Sequence, residues 1–135
     1  MVHSINCDIY KKIYKNAFYI REVEKRIALE YPKQEIRCPT HLSIGQELVS
    51  SIINLLISKK DYAVSTHRAH AHFLSKGGDL NAFIAELYGK RTGCSKGIGG
   101  SMHLIDTSVN FMGSSAIVGN SIPLGVGLAQ AARLK

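Results

Sequence analysis

The sequence predicts an α/β chain, and three observations carry that prediction. Helical periodicity runs through the first thirty residues, a short β-prone run at 62–66 sits between helical segments, and the last third is nearly free of charge and rich in glycine. With 135 residues, 45% of them hydrophobic, the chain has the size and the apolar content of one globular domain. We therefore expect residues 1–135 to belong to a single domain, with a helical segment over 1–31.

Ile5, Ile9, Ile13, Ala17, Ile20, Val23 and Ile27 recur at intervals of three and four, which predicts an amphipathic helix over 4–29 with Ser4 as its cap. Tyr31-Pro32 stops it, because the proline ring drives the preceding residue out of the helical region. Residues 45–57 hold Leu48, Ile52, Ile53, Leu55, Leu56 and Ile57, apolar around most of a helix, and the expectation is a buried one. Tyr62-Ala63-Val64-Ser65-Thr66 reads as an internal strand that delivers Thr66 and His67 at its end. Two short helices follow. The first covers 69–76 and closes at Gly77-Gly78; the second, over 80–88, is capped by Asp79 and ended by Gly89. Four glycines between 93 and 100 and four more between 113 and 127 mark close backbone approach or flexible loops, and Pro123 opens a last helix over 124–135.

Charge and cysteine usage narrow the class of function. The net charge of +7 is spread in pairs such as Lys11-Lys12, Lys59-Lys60 and Lys90-Arg91, not gathered into the basic run of a nucleic-acid arm, so no nucleic-acid partner is expected. Cys7, Cys38 and Cys94 are odd in number and widely spaced, which fits neither a disulfide framework nor a paired-cysteine zinc site and points to a reducing cytoplasm. No signal-peptide core occupies the N-terminus. The charge-free stretch 107–132 is long enough to span a bilayer but is broken by Asn110, Ser114, Ser115, Asn120, Ser121, Pro123 and Gln130, so we expect it buried in protein and not in a membrane.

The densest chemistry is Ser65-Thr66-His67-Arg68-Ala69-His70-Ala71-His72. His67 and His70, three apart, would share a helix face and invite a zinc site; an arginine after a strand instead suits paired hydrogen bonds to a phosphate, with His67 as a second donor. Packed interface histidines beside a solvated Arg68 remain a third reading. Gly93-Cys94-Ser95-Lys96-Gly97-Ile98-Gly99-Gly100-Ser101 fits neither the Walker loop, since Lys96 is followed by Gly97, nor the dinucleotide fingerprint, since Met102 stands where glycine is required. It reads as a flexible surface loop or as one that folds over an active site. His103 reads as a satisfied core histidine, and His41, in the loop before the helix at 45–57, as a neutral acid–base or hydrogen-bonding group.

Taken in order, His41-Leu42-Ser43-Ile44-Gly45-Gln46-Glu47, Ser65-Thr66-His67-Arg68-Ala69-His70, Ala85-Glu86-Leu87-Tyr88-Gly89, Gly93-Cys94-Ser95-Lys96-Gly97, Gly99-Gly100-Ser101-Met102-His103 and Ile117-Val118-Gly119 resemble the alpha subunits of pyruvate, acetoin and branched-chain 2-oxo acid dehydrogenases. The resemblance spans about residue 20 to the last. It implies a thiamine-diphosphate-binding fold, a mainly parallel sheet with helices on both faces, of which this chain is the N-terminal, incomplete part. It also implies site residues. Arg68 and His67 would bind the diphosphate, Ala116 and Val118 would present backbone groups to the aminopyrimidine, and His41 would face the reacting carbon of the 2-oxo acid. The loop 97–103 would line the entrance or support the cofactor. The implied reaction is oxidative decarboxylation of a 2-oxo acid, pyruvate or acetoin dehydrogenase fitting best, with acyl transfer to a lipoyl group.

By the same resemblance the partners are a beta subunit, in an alpha2beta2 heterotetramer, and a lipoyl-bearing acyltransferase. The ligands of the Mg2+ that accompanies thiamine diphosphate are expected beyond residue 135, because Gly78-Asp79 is followed by Leu80 and no Gly-Asp-Gly occurs. The chain alone is expected to be inactive. The rivals are a zinc-dependent hydrolase using His67 and His70, and a basic, non-catalytic binding module.

Overall fold

Helix α1, Cys7–Glu30, buries one stripe, Ile20, Glu24 and Ile27, spaced by four and three residues as a single helix face requires. A computed structural model describes residues 7–135, so the expected Ser4 cap and the first turn of the expected helix lie outside the described residues. Pro32 sits in a single 3-10 turn, Tyr31–Lys33, and Gln34 at φ 61° closes it, so α1 stops where the proline predicts.

Helix α2, Glu47–Leu56, corrects the expectation of a buried apolar helix. Glu47, Ser50 and Ser51 are its buried residues, whereas Leu48, Val49, Ile52, Ile53, Leu55 and Leu56 are exposed, Leu56 at 82%. The reason is a polar seam between helices. Asn16 of α1 donates to Ser51 Oγ at 3.1 Å and to Ser75 Oγ at 2.8 Å, so the two hydrogens of one amide join α1, α2 and the short helix that ends at Ser75, and small hydroxyls occupy the contact instead of leucines.

Strand β1, Ala63–Ser65, follows, then α3, His70–Ser75, and α4, Leu80–Leu87. Gly77, at φ +94°, turns the chain between the two helices, and the Asp79 carboxylate caps α4 by accepting from Ala82 N–H at 2.7 Å. His67 precedes α3, so it does not share a helix face with His70. Strand β2, Phe111–Ser114, pairs parallel with β1 in the register Val64–Gly113 and Ser65–Ser114. It had no counterpart among the elements expected from sequence.

Phe73 of α3 joins the helices to this sheet. Its ring lies 5.7 Å from that of Phe83 in α4 and 5.4 Å, edge-on, from that of Phe111 in β2, and all three are fully buried. Each such ring contributes roughly 1.5–3 kcal/mol by burial. Helix α5, Ser121–Leu134, corrects a second burial expectation: none of its residues is buried, and Ile122, Val126 and Leu134 are largely exposed. It packs on β1, where a Cβ on Gly125 would stand 3.8 Å from Val64 Cγ2, and no second layer among the described residues covers its other side. No helix of the described residues is long and apolar enough to cross a membrane.

Candidate functional site at the strand ends

Because β1 and β2 are parallel, their carboxyl ends lie side by side, the place where open α/β sheets present their loops to ligands. Strand β1 runs out into Thr66-His67-Arg68 and β2 into Ser115-Ala116-Ile117-Val118, and Ser115 N–H donates to Ser65 C=O at 3.3 Å, which ties the two exits together. The His41 loop packs against the first of them. The His41 and His67 rings meet edge-on at 5.0 Å, nearly perpendicular at 85°. Arg68 donates from Nη1 to Leu42 C=O at 2.6 Å while its side chain stays exposed, leaving its remaining N–H groups free for an anion.

Among the described residues three buried polar side-chain atoms lack a partner: His41 Nδ1, His67 Nδ1 and Ser43 Oγ, the last in the loop that carries His41. The Nδ1 atoms of His41 and His67 are buried and make no hydrogen bond, a costly condition that a bound polar group would relieve. Among the described residues no hydrogen bond occupies the backbone N–H or C=O of Ala116 or Val118, and Val118 is 77% exposed. Below this surface, His70 uses both ring nitrogens internally, on Glu24 and on Ser101, each at 2.7 Å. A zinc site on His67 and His70 is therefore rejected: His70 has no lone pair to give, and no group of three metal-ligating side chains occurs among the described residues. His72 faces Ser65 Oγ at 2.6 Å, and burial pushes its imidazole below the ordinary histidine range.

The model of the family described as dehydrogenase E1 component matches residues 15–135. The chain belongs to that family. It is 42% identical over 120 residues to the pyruvate dehydrogenase E1 component subunit alpha of Rickettsia bellii, covering 89% of this chain and 37% of the relative. It is likewise 42% identical over 117 residues to the protein of that name from Porphyra purpurea, covering 87% of this chain and 34% of the relative. It is 41% identical over 122 residues to the mitochondrial one from Solanum tuberosum, covering 90% and 31%. The chain thus spans about a third of the length of these relatives.

In this E1-family chain the glycine-rich segment after α4 wraps a carboxylate and is not a phosphate loop. The buried Glu86 carboxylate accepts four backbone N–H groups: Ser95 at 2.7 Å and Gly97 at 2.8 Å on one oxygen, Gly99 at 2.7 Å and Gly100 at 3.0 Å on the other. The glycines are there for space. A Cβ on Gly93 would stand 2.7 Å from the Glu86 Cα, and one on Gly97, already at φ +80°, 2.6 Å from the Gly89 carbonyl carbon. His103, expected in the core, is exposed. A cleft of about 990 Å³ lies beside this loop and reaches the strand-end site through Ser101, which holds His41 N–H, and Met102, whose C=O accepts from Ser114 Oγ.

Glu47 anchors the other side of the His41 loop. It accepts Gly45 N–H on both oxygens, at 3.0 and 3.1 Å, and forms a two-point pair with Arg21, whose Nη2 donates at 2.9 Å. The Arg21 hydrogen bond, helped by the backbone donors, holds the Glu47 carboxyl at about 2, below its ordinary value of 4.5. A depressed carboxyl stabilises the fold fully above its unfolded value and loses that contribution as pH falls towards its folded value. Arg21→Met therefore costs stability at pH 6, and its cost relative to wild type shrinks between about pH 4.5 and 2. Paired thermal unfolding curves across that range measure it; a cost that does not change with pH contradicts the assignment.

The sequence singled out His41, His67, Arg68, Ala116 and Val118, and the two strand ends and the loop packed on them carry all five. It missed Glu24, Glu47, Glu86 and Ser101. For two of these the signal was present: Glu24 falls in the stripe of Ile20 and Ile27, and Glu86 in that of Phe83 and Leu87. A carboxylate in an apolar stripe must find partners.

Proposed function

We propose that this chain forms one wall of a thiamine diphosphate site in the alpha subunit of a 2-oxo acid dehydrogenase, pyruvate or acetoin dehydrogenase being the best fit. The observation that carries the proposal is the meeting, at two parallel strand ends, of buried and unpartnered His41 and His67 nitrogens, an exposed guanidinium and free backbone groups at 116 and 118. The donors suit the cofactor's two ends. Arg68, with His67 beside it, offers charge and N–H groups to the diphosphate, and the main chain of Ala116 and Val118 offers a donor and an acceptor to the aminopyrimidine. When bound, thiamine diphosphate supplies the electron sink that decarboxylation of a 2-oxo acid needs. His41 hydrogen-bonds the 2-oxo acid and holds a proton for it at Nδ1 or Nε2.

The same proposal covers what the complete protein would add. The β1–β2 pair belongs to a larger, mainly parallel sheet with helices on both faces, within one domain that includes residues 1–135. The bare apolar faces of α2 and α5 support further layers, from the rest of that fold or from a beta subunit in an alpha2beta2 assembly. Mg2+ takes its oxygen ligands from outside these residues, the acyl group passes to the lipoyl arm of an acyltransferase, and the three free cysteines suit the cytoplasm. The 135-residue chain by itself gives no turnover.

The test is reduction of an artificial electron acceptor, dependent on a 2-oxo acid or on acetoin, by the full-length alpha chain with its beta subunit, thiamine diphosphate and Mg2+. Turnover with pyruvate or acetoin is expected, and His41→Ala lowers kcat on the order of 100-fold while cofactor half-saturation holds. Absence of turnover with acetoin and with every 2-oxo acid, or a His41→Ala protein with undiminished kcat, contradicts the proposal.

A further inference from the structure

Three consecutive residues of the loop that carries His41 are each held by a separate group. His41 N–H donates to Ser101 Oγ at 3.3 Å, Leu42 C=O accepts from Arg68 at 2.6 Å, and Ser43 N–H donates to Glu24 Oε2 at 2.8 Å. The first and last anchors belong to one chain of hydrogen bonds: Glu24 Oε1 meets His70 Nδ1 at 2.7 Å, and His70 Nε2 meets Ser101 Oγ at 2.7 Å. Glu24 and His70 are wholly buried and Ser101 is 1% exposed.

Counting hydrogens fixes the direction of this chain. Ser101 Oγ already accepts from His41 N–H, and its own hydrogen needs an acceptor in a site closed to water. His70 Nε2 is that acceptor, and the ring hydrogen on Nδ1 donates to the Glu24 carboxylate. With His70 protonated on Nε2, the Ser101 hydrogen would be left buried and unpaired. The order serine, histidine, glutamate is that of a hydrolytic triad, but the seryl oxygen is buried and the nearby Gly99 and Gly100 N–H groups donate to Glu86, so no oxyanion site accompanies it. A buried carboxylate and imidazole are costly where apolar packing would serve for stability alone. What they do here is grip the backbone on both sides of one residue.

We propose that Glu24, His70 and Ser101 form a positioning network for His41. Glu24 and Ser101 hold the amides of Ser43 and His41, and His70 fixes those two groups relative to each other, so the His41 imidazole is kept edge-on to His67. The proposal rests on the role given to His41 above, and its test separates the two. Ser101→Ala and Glu24→Gln are made in the full-length alpha chain assembled with its beta subunit. Asn16→Ala, which removes an interhelical hydrogen-bond pair on the same helix as Glu24 away from this loop, serves as the structural control.

Hydrogen exchange on a peptide spanning 41–43 is expected to quicken roughly fivefold in Ser101→Ala, the loss of one ordinary hydrogen bond, and to stay unchanged in Asn16→Ala. In the same Ser101→Ala assembly kcat falls roughly ten- to a hundredfold, the effect of a misplaced group, while half-saturation by thiamine diphosphate stays within about twofold. Glu24→Gln must set a carboxamide NH2 against one of two donors and gives a larger effect; should it not fold, Ser101→Ala still decides. Unchanged exchange at 41–43, unchanged kcat, or cofactor half-saturation that worsens in step with kcat overturns the proposal. Exchange is read without turnover, so a wild-type assembly that turns over neither acetoin nor any 2-oxo acid defeats the functional proposal while exchange still decides the anchoring.

Discussion

Replacing Glu86 by alanine destabilises the full-length protein by about 3–5 kcal/mol and frees the segment 93–103 to exchange its amides. Four backbone N–H groups converge on this one buried carboxylate. Each charge-assisted bond is worth about 1.5–3 kcal/mol, but the half-buried loop recovers part of that from water once the carboxylate is gone, which sets the expected net below the sum. Glu86→Gln is informative beside it. A carboxamide keeps one acceptor oxygen and turns an NH2 towards the other pair of donors, so it is destabilising too, though the side-chain volume is kept. Thermal unfolding measures the first effect and hydrogen exchange the second. An alanine variant within about 1 kcal/mol of wild type would mean that the glycine-rich segment holds its shape without Glu86.

The second large effect belongs to Arg68. Its guanidinium holds Leu42 C=O and, in the proposed function, faces the diphosphate. Arg68→Ala removes both, and the affinity of the full assembly for thiamine diphosphate with Mg2+ falls on the order of 100-fold, the worth of a charged, multiply hydrogen-bonded contact. Arg68→Lys restores a point charge but not the fork that spans Leu42 and a ligand together, so it recovers part of the affinity and loses the Leu42 anchor. Calorimetric titration reads the first quantity and exchange at 41–43 the second. Affinity unchanged in Arg68→Ala places the diphosphate elsewhere.

The contrast between Glu86 and Arg68 also shows what the sequence could and could not disclose. Arg68 stood out because local signals located it: a β-prone run that ends at 66, a histidine beside it, and glycine punctuation after the next helix. Such signals act over a few residues, and β1, α3 and α4 emerged within a residue or two of their expected bounds for that reason. Strand β2 did not, because four residues that include Gly113 carry little intrinsic preference and depend on pairing with β1, far away in the chain. The burial of α2 and α5 was misread for a related reason. Periodicity shows which face of a helix is apolar, but whether a layer covers that face depends on the rest of the assembly. Glycines between 93 and 100 suggested freedom, yet they serve close approach around a carboxylate supplied by the preceding helix. His41 was visible as chemistry, whereas the Glu24–His70–Ser101 chain that grips its loop joins residues up to 77 positions apart and left only one local trace, a glutamate in an apolar stripe.

One ligand lying against both strand ends at once is tested most directly by hydrogen exchange of the full-length alpha–beta assembly, with and without thiamine diphosphate and Mg2+. Peptides containing 41–43, 66–68 and 115–119 are expected to gain protection together on addition of the cofactor. Protection that appears elsewhere while these three segments stay unchanged would contradict the site.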